Sequence, residues 1–292
     1  MRKVAVVTDS AANLPLEILD RYHIFVVPIL LYMDGREYRD GVDVTPSEVY
    51  RYMRGSTNGR LPRTASPTVG EFFRTYMMAA QGADDIVSIH PSAKLSAIVQ
   101  SAHTARELVS VRVHVVDSHT AAMGCGFAVL EAARLAQRGA DEDEVIRRAT
   151  CVAGRTRVLA MLERLDYLHQ GGHVPAVAAL AGSALKLCPI LTIANDHARV
   201  AELPRTPRRA QERIKSLLQR DLDGKPAHIA VMHADAPAKA EDLRAYIADH
   251  FECEELFITE FTPVMGTHTG PGLLGVAYYT DGRENIHAAH SG

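Results

Sequence analysis

The feature that most constrains the fold is the recurrence of short, β-branched apolar runs that stop at a polar residue and give way to a helical pattern. "KVAVVTD" stops at Asp9 and is followed by "NLPLEILDRY", with a proline near the first helical turn. "DDIVSIH" and "VRVHVVDS" are separated by the helix-like "LSAIVQSAHTARELV" and followed by "AAMGCGFAVLEAARLAQRGA", where Gly139 is the expected C-cap. Strand and helix alternating in this way imply a mostly parallel sheet with helices on both faces, an α/β fold.

Other segments extend the pattern. "HIFVVPILLY" is expected to form a second buried strand, and "MDGREY" a hairpin turn whose Asp34-Gly35 pair suits positive backbone angles. Thr45, Pro46 and Glu48 make a capping box at the start of a helix, and Thr68, three residues before Glu71, is the expected N-cap of a helix through Met78. After "EDEVIRRATCVAGR" the pattern restarts at "VLAMLE", which places a domain boundary near residue 156. Residues 1–156 are expected to form one α/β domain, 157–285 a second, and 286–292 a frayed tail. The second domain has strand candidates at "PILTIA", "HIAVMHA", "ELFITEF" and "GVAYYT", and helices at "TPRRAQERIKSLLQR" and "APAKAEDLRAYIADHF".

A chain of 292 residues, 47% of them apolar, can fill the cores of two such domains. Its 32 Lys and Arg are outnumbered by 35 Asp and Glu, which argues against a nucleic-acid partner. Cys125, Cys151, Cys188 and Cys253 have no paired spacing and read as buried, reduced thiols. The apolar run in "MRKVAVVTDS" is too short for a secretory signal, so a cytoplasmic protein is expected. The most apolar stretch, Ala176 to Ala194, contains Lys186 and Pro189 and reads as a buried helix followed by a strand.

Standard catalytic signatures are missing: the sequence has no P-loop, no GxSxG elbow and no HExxH helix. "GCGFAV" begins at Gly124 like a dinucleotide fingerprint, but it lies well past its strand and carries Val129 at the last position. His169 and His173 are separated by Gly171 and Gly172, while His287 and His290 lie in the tail; exposed polar residues, rather than metal ligands, are expected at both pairs. No metal and no cofactor is expected.

Several polar groups are left without a structural task. In "RTASPTVGEFF" Thr68 caps a helix, but Thr64 and Ser66 do not. Ser92 and Ser96 in "SAKLSAIVQSA" stand at a loop-to-helix junction where one hydroxyl suffices as N-cap, which leaves Ser96 surplus. "MGTHTGPGLLG", Met265 to Gly275, holds four glycines and a proline; it is expected to be irregular, with backbone N–H groups able to bind an anion around His268. Ligands of α/β sheets sit beyond the carboxyl ends of the strands, where the loops carrying Thr64 and Ser96 are expected.

In their order and spacing, "VTDSAANLP", "RTASPTVGEF", "AKLSAIVQSA", "VVDSHTAAMGCG", "LDYLHQGGHV", "LKLCPIL" and "GTHTGPGLLG" resemble the DegV family over nearly the whole chain. The resemblance implies two α/β domains, the first an α/β/α domain on a parallel sheet and the second built on a mixed sheet, with a long acyl chain buried between and within them. It implies that Thr64 and Ser96 hold the carboxylate and that His268 joins them, with Ser66, Thr267 and Gly270 completing the binding set. It implies a long-chain fatty acid, such as palmitate or another C16 to C18 acid, as ligand. As partner it implies a fatty acid kinase of the dihydroxyacetone-kinase-like type, with transient membrane contact. Three positions depart from the family pattern: Ala65 replaces a frequent second serine, Ala97 a frequent glycine, and His173 the common arginine after the glycine pair.

A buried carboxylate without partners is very costly, so a lipid site needs convergent donors at one end of an apolar cavity. Two functions are compatible with this. The first is a non-catalytic carrier that presents the carboxylate for acyl-phosphate formation, with Thr64, Ser96 and His268 as binding groups. The second is an acyl hydrolase or transferase with Ser96 as nucleophile, His268 as base and Asp9 or Asp117 as the orienting acid. The basic "RTPRRAQERIK" is a solvated helix face or a docking face for the kinase.

Overall fold

The structure, a computed structural model, describes residues 3–55, 61–163, 167, 187–194 and 196–281. β1 (Val4–Asp9), β2 (Phe25–Val27), β6 (Asp85–His90) and β7 (Arg112–Asp117) form a parallel sheet in the order β2-β1-β6-β7. All of β6 is buried, as a strand covered on both faces must be. α3 (Val69–Ala79) and α4 (Ile98–Arg106) pack side by side on one face of this sheet, α5 (Met123–Gln137) and α6 (Glu142–Arg155) on the other. The expected caps form. Thr68 accepts the Glu71 N–H at 3.1 Å at the start of α3, and Thr45 with Glu48 closes the box that opens α2 (Pro46–Gly55).

"HIFVVPILLY" is two strands in two sheets, not one. Proline lacks the N–H a continuous ladder needs, and the chain breaks at Pro28. Beyond it the Ile29 N–H turns to Ser10 Oγ at 3.2 Å. β3 (Leu30–Met33) then joins an antiparallel sheet with β4 (Arg36–Arg39) and β5 (Arg63–Ala65), in the order β4-β3-β5. Asp34 and Gly35 make the expected β3–β4 turn, with φ of 50° and 74°.

A third and larger sheet starts directly after α6. It contains β8 (Arg157–Met161), β9 (Ile190–Ala194), β10 (His197–Glu202), β11 (Ala227–His233), β12 (Cys253–Glu260) and β13 (Leu274–Tyr279), in the order β10-β9-β8-β13-β11-β12. β11 and β12 are parallel and every other pair is antiparallel, so the sheet is mixed. β10 escapes a search for apolar runs because "HARVAE" is an edge strand with exposed residues at every second position. α7 (Pro207–Leu222) and α8 (Pro237–His250) close a separate core on the outer side of this sheet.

The inner side of the mixed sheet faces α5. This explains why α5 is buried over most of its length: Met123 through Ala133 are all buried, with Glu131 the one charged residue among them, and Phe127 meets Phe257 and Tyr279 of the mixed sheet edge-on at 5.8 and 5.2 Å. One continuous core therefore runs through both sheets. No helix among the described residues is long and apolar enough to cross a membrane. Cys125 and Cys188 are buried as expected, whereas Cys151 and Cys253 are half-buried; all four are free thiols. His169, Gly171, Gly172, His173, the helical part of the Ala176–Ala194 stretch and the tail lie outside the described residues.

Candidate functional site

Between the two sheets lies a cavity of about 270 Å³. The parallel sheet reaches it through loops at the carboxyl ends of its strands: Ala11 after β1, Pro91 to Ile98 after β6, Ala121 and Ala122 after β7. The opposite wall is apolar, with Val158 and Ala160 of β8, Leu191 and Ile193 of β9, and Ala198 of β10. The floor on the parallel side is stiffened by a buried chain of hydrogen bonds. Asp9 Oδ2 meets His90 Nδ1 at 2.6 Å, His90 Nε2 meets Ser88 Oγ at 2.6 Å, and Tyr76 Oη donates to Ser88 Oγ at 3.0 Å.

The polar lining is gathered at Thr64, Ser66, Ser96, His268 and Thr269. Thr64 Oγ1 and His268 Nε2, 204 residues apart in sequence, are 2.8 Å from each other. Thr64 does not stand on a loop, as expected, but on β5, where it pairs with Leu31 of β3. A strand fixes its side-chain direction more firmly than a loop would. Ser96 Oγ accepts the Ile98 N–H at 3.5 Å, the outer limit of a hydrogen bond. Neither serine caps α4: Ala97 occupies the N-cap position without a side-chain bond, and Ser92 is turned towards Asp196 Oδ1 at 2.6 Å.

His268 sits on α9 (Pro263–Thr269), a short helix in the segment expected to be irregular. Two of its glycines are demanded by neighbours rather than by loop geometry. A Cβ on Gly266 would overlap the Tyr50 ring, and one on Gly270, which also has φ of 75°, would overlap the ring of Tyr167. Nor are their N–H groups offered to an anion. Gly266 donates to Thr262 O at 2.8 Å, Gly270 to Gly266 O at 2.8 Å and Gly272 to Ala234 O at 2.7 Å. Thr267 and Gly270 do not line the cavity, and the Thr267 hydroxyl donates to Pro263 O of its own helix at 2.9 Å. Thr269, which the sequence did not single out, does line it.

α9 is held from β4 and α2. Asp40 Oδ1 accepts the Val264 N–H at 3.0 Å, and Tyr50 Oη donates to Phe261 O at 3.1 Å. Burial pushes the Asp40 carboxyl up to about 6, against hydrogen bonds from Ser10, Val264 and Thr262 that favour the ionised form. No pattern in the sequence marks either residue, since each acts on a segment more than two hundred positions away.

The acids proposed to orient a catalytic histidine are committed elsewhere. Asp9 binds His90 and the Ala11 N–H, and Asp117 accepts N–H groups from Ala93 and His119. Among the described residues two groups of side chains have metal-ligand spacing, and each already holds a cation of its own. Arg112 lies 3.5 Å from Asp85 and 3.1 Å from Glu142 beside His114, and Lys94 lies 3.4 Å from Asp196 beside Asp117 and His119.

Residues 3–281 match the model of a family described as uncharacterised DegV family proteins. The chain belongs to the DegV family. A DegV domain-containing protein of Streptomyces coelicolor is 37% identical over 278 residues, covering 94% of this chain and 98% of the relative. Among solved structures, a fatty-acid-binding DegV family protein from Thermus thermophilus superposes with a TM-score of 0.88 at 32% identity, covering 96% of this chain and 100% of that one. DegV of Bacillus subtilis, a fatty acid binding protein, superposes at 0.87 with 29% identity and the same coverage. The resemblance carried by the motifs, and the α/β fold it implied, are thus borne out.

Proposed function

We propose that this DegV protein binds a long-chain fatty acid, with the acyl chain in the cavity and the carboxylate at Thr64, Ser96 and His268. The observation that carries this reading is the Thr64–His268 pair at 2.8 Å, set with Ser66, Ser96 and Thr269 in an otherwise apolar cavity. A hydroxyl can donate to a carboxylate without placing a permanent charge in the core: with His268 Nε2–H donating to Thr64 Oγ1, the threonine keeps its own proton for the carboxylate, and Ser96 supplies a second donor. Burying a methylene contributes roughly 0.8 kcal/mol, so a C16 chain gains on the order of 10 kcal/mol before ordering costs. The fatty-acid-binding relatives from Thermus thermophilus and Bacillus subtilis support the same ligand class.

On this reading the protein is a carrier rather than an enzyme. It collects the acid at a membrane surface in the cytoplasm and presents the carboxylate to a fatty acid kinase, which forms the acyl phosphate. Residues 1–156 and 157–285 act as the two domains that enclose the ligand. The test is mass spectrometry of the purified protein, native and then denatured. A stoichiometric fatty acid in wild type that is lost in Thr64→Ala and Ser96→Ala is the expected result. A protein that is empty and takes up no added palmitate would refute the reading.

A further inference from the structure

We propose that Asp196 is a latch that ties the β9–β10 hairpin to the loops after β6 and β7, and thereby sets the rate at which the cavity exchanges its ligand. Asp196 immediately precedes β10, and Ile193 and Ala198 on either side of it line the cavity. Across the cavity, Ser92 and Lys94 belong to the loop that contributes Pro91, Leu95 and Ser96 to the lining, and His119 to the loop that contributes Ala121 and Ala122. The Asp196 side chain joins all three. Ser92 Oγ donates to its Oδ1 at 2.6 Å, His119 Nδ1 lies 2.9 Å from the same oxygen, and Lys94 Nζ lies 3.4 Å from Oδ2. Its backbone N–H donates to His119 O at 2.8 Å.

Three features make this group a latch rather than an ordinary surface ion pair. First, Asp196 makes four polar contacts to these two loops, three through its side chain and one through its backbone N–H. Second, β10 is an edge strand bonded in its sheet only to β9, so among the described residues no strand pairs with its outer edge. Third, the carboxylate is 16% exposed while Lys94 and His119 are 61% and 58% exposed, so the contact lies at the surface, where its polar groups can be returned to water. Burial alone would raise the Asp196 carboxyl, but the bonds from Ser92, His119 and Lys94 outweigh it, so the latch stays charged.

The latch rests on the fatty-acid reading only for its probe. The decisive experiment is stopped-flow exchange of cis-parinaric acid, a fluorescent long-chain fatty acid, on three proteins: wild type, Asp196→Ala, and the double variant Ser92→Cys with Asp196→Cys. Removing the charge-assisted bonds should raise both the association and the dissociation rate by roughly tenfold or more, with a much smaller change in their ratio. The oxidised double variant should exchange the probe more slowly than wild type, and reduction should restore or exceed the wild-type rate. Unchanged rates in Asp196→Ala, or equal rates in the oxidised and reduced double variant, would overturn the latch. Should wild type fail to bind the probe, the fatty-acid reading falls and the latch is read by amide hydrogen exchange over Ile190–Glu202. Faster exchange in Asp196→Ala and slower exchange in the oxidised double variant would sustain it; equal protection would remove it.

Discussion

Thr64 and Thr267 make a controlled comparison at the scale of single residues, because both are threonines close to His268 and only one faces the cavity. Thr64→Val keeps the shape of the side chain and removes a hydroxyl expected to bond a carboxylate, an interaction worth about 1.5–3 kcal/mol to a charged group. Palmitate affinity by titration calorimetry should fall roughly ten- to a hundredfold. Thr267→Val removes a hydroxyl that bonds only its own helix, and palmitate affinity should be unchanged. A weakened Thr267→Val would mean that the binding set assigned from the sequence was right and the cavity boundary drawn here is wrong. Thr64, Ser96 and His268 were legible because two are hydroxyls beyond what capping requires and the third sits among glycines. Asp40, Tyr50, Ser92 and Asp196 were not, because each acts on a distant partner, and contacts of that separation leave no local pattern.

At the scale of elements, α9 shows how a composition rule fails. Four glycines and a proline looked incompatible with regular structure, yet Pro263 suits a first helical position and Gly266 is selected by the Tyr50 ring, so the segment is helical up to Gly270. The apolar β-branched runs were reliable guides to β1, β6 and β11, which are buried along most of their length, and to β7, which is buried or half-buried after Arg112. β10, an edge strand, carried no such signal. Asp40 makes the pinning of α9 measurable. Its folded value of about 6 lies above the usual aspartate range, so protonation favours the folded state. The stability this contributes is fully present below about pH 4 and is lost as pH rises through about 6, by up to about 3 kcal/mol. Asp40→Asn keeps the acceptor for Val264 and cannot ionise. Compared with wild type, it should therefore gain relative stability between pH 4 and 7 in urea denaturation. A constant difference across that range would show that Asp40 does not titrate there.

Across the whole molecule, α5 and α6 are tied to the mixed sheet by a closed ring of alternating charge. Arg134 meets Glu131 at 2.6 Å and Glu255 at 2.7 Å, and Arg148 meets Glu131 at 2.5 Å and Asp281 at 3.2 Å. His228 closes the ring between Glu255 at 2.9 Å and Asp281 at 3.2 Å, with its face stacked on Tyr279 at 4.4 Å. A histidine facing a carboxylate at each nitrogen can donate to both only as the imidazolium. Burial would lower its proton affinity, but Glu255 and Asp281 reverse that and raise it above the ordinary histidine value. Glu255 itself, raised by burial but lowered further by His228 and Arg134, is held at about 2. The sign for His228 follows from a raised folded value: its contribution is fully present below the unfolded pKa near 6.5 and is lost as pH rises through the folded one. His228→Gln keeps one donor and no charge. It should therefore be less stable than wild type by about 1–2 kcal/mol at pH 6 and by clearly less at pH 9, measured by urea denaturation at both. Equal deficits at the two pH values would mean that the ring holds a neutral histidine, and that packing against Tyr279 rather than charge is what His228 contributes.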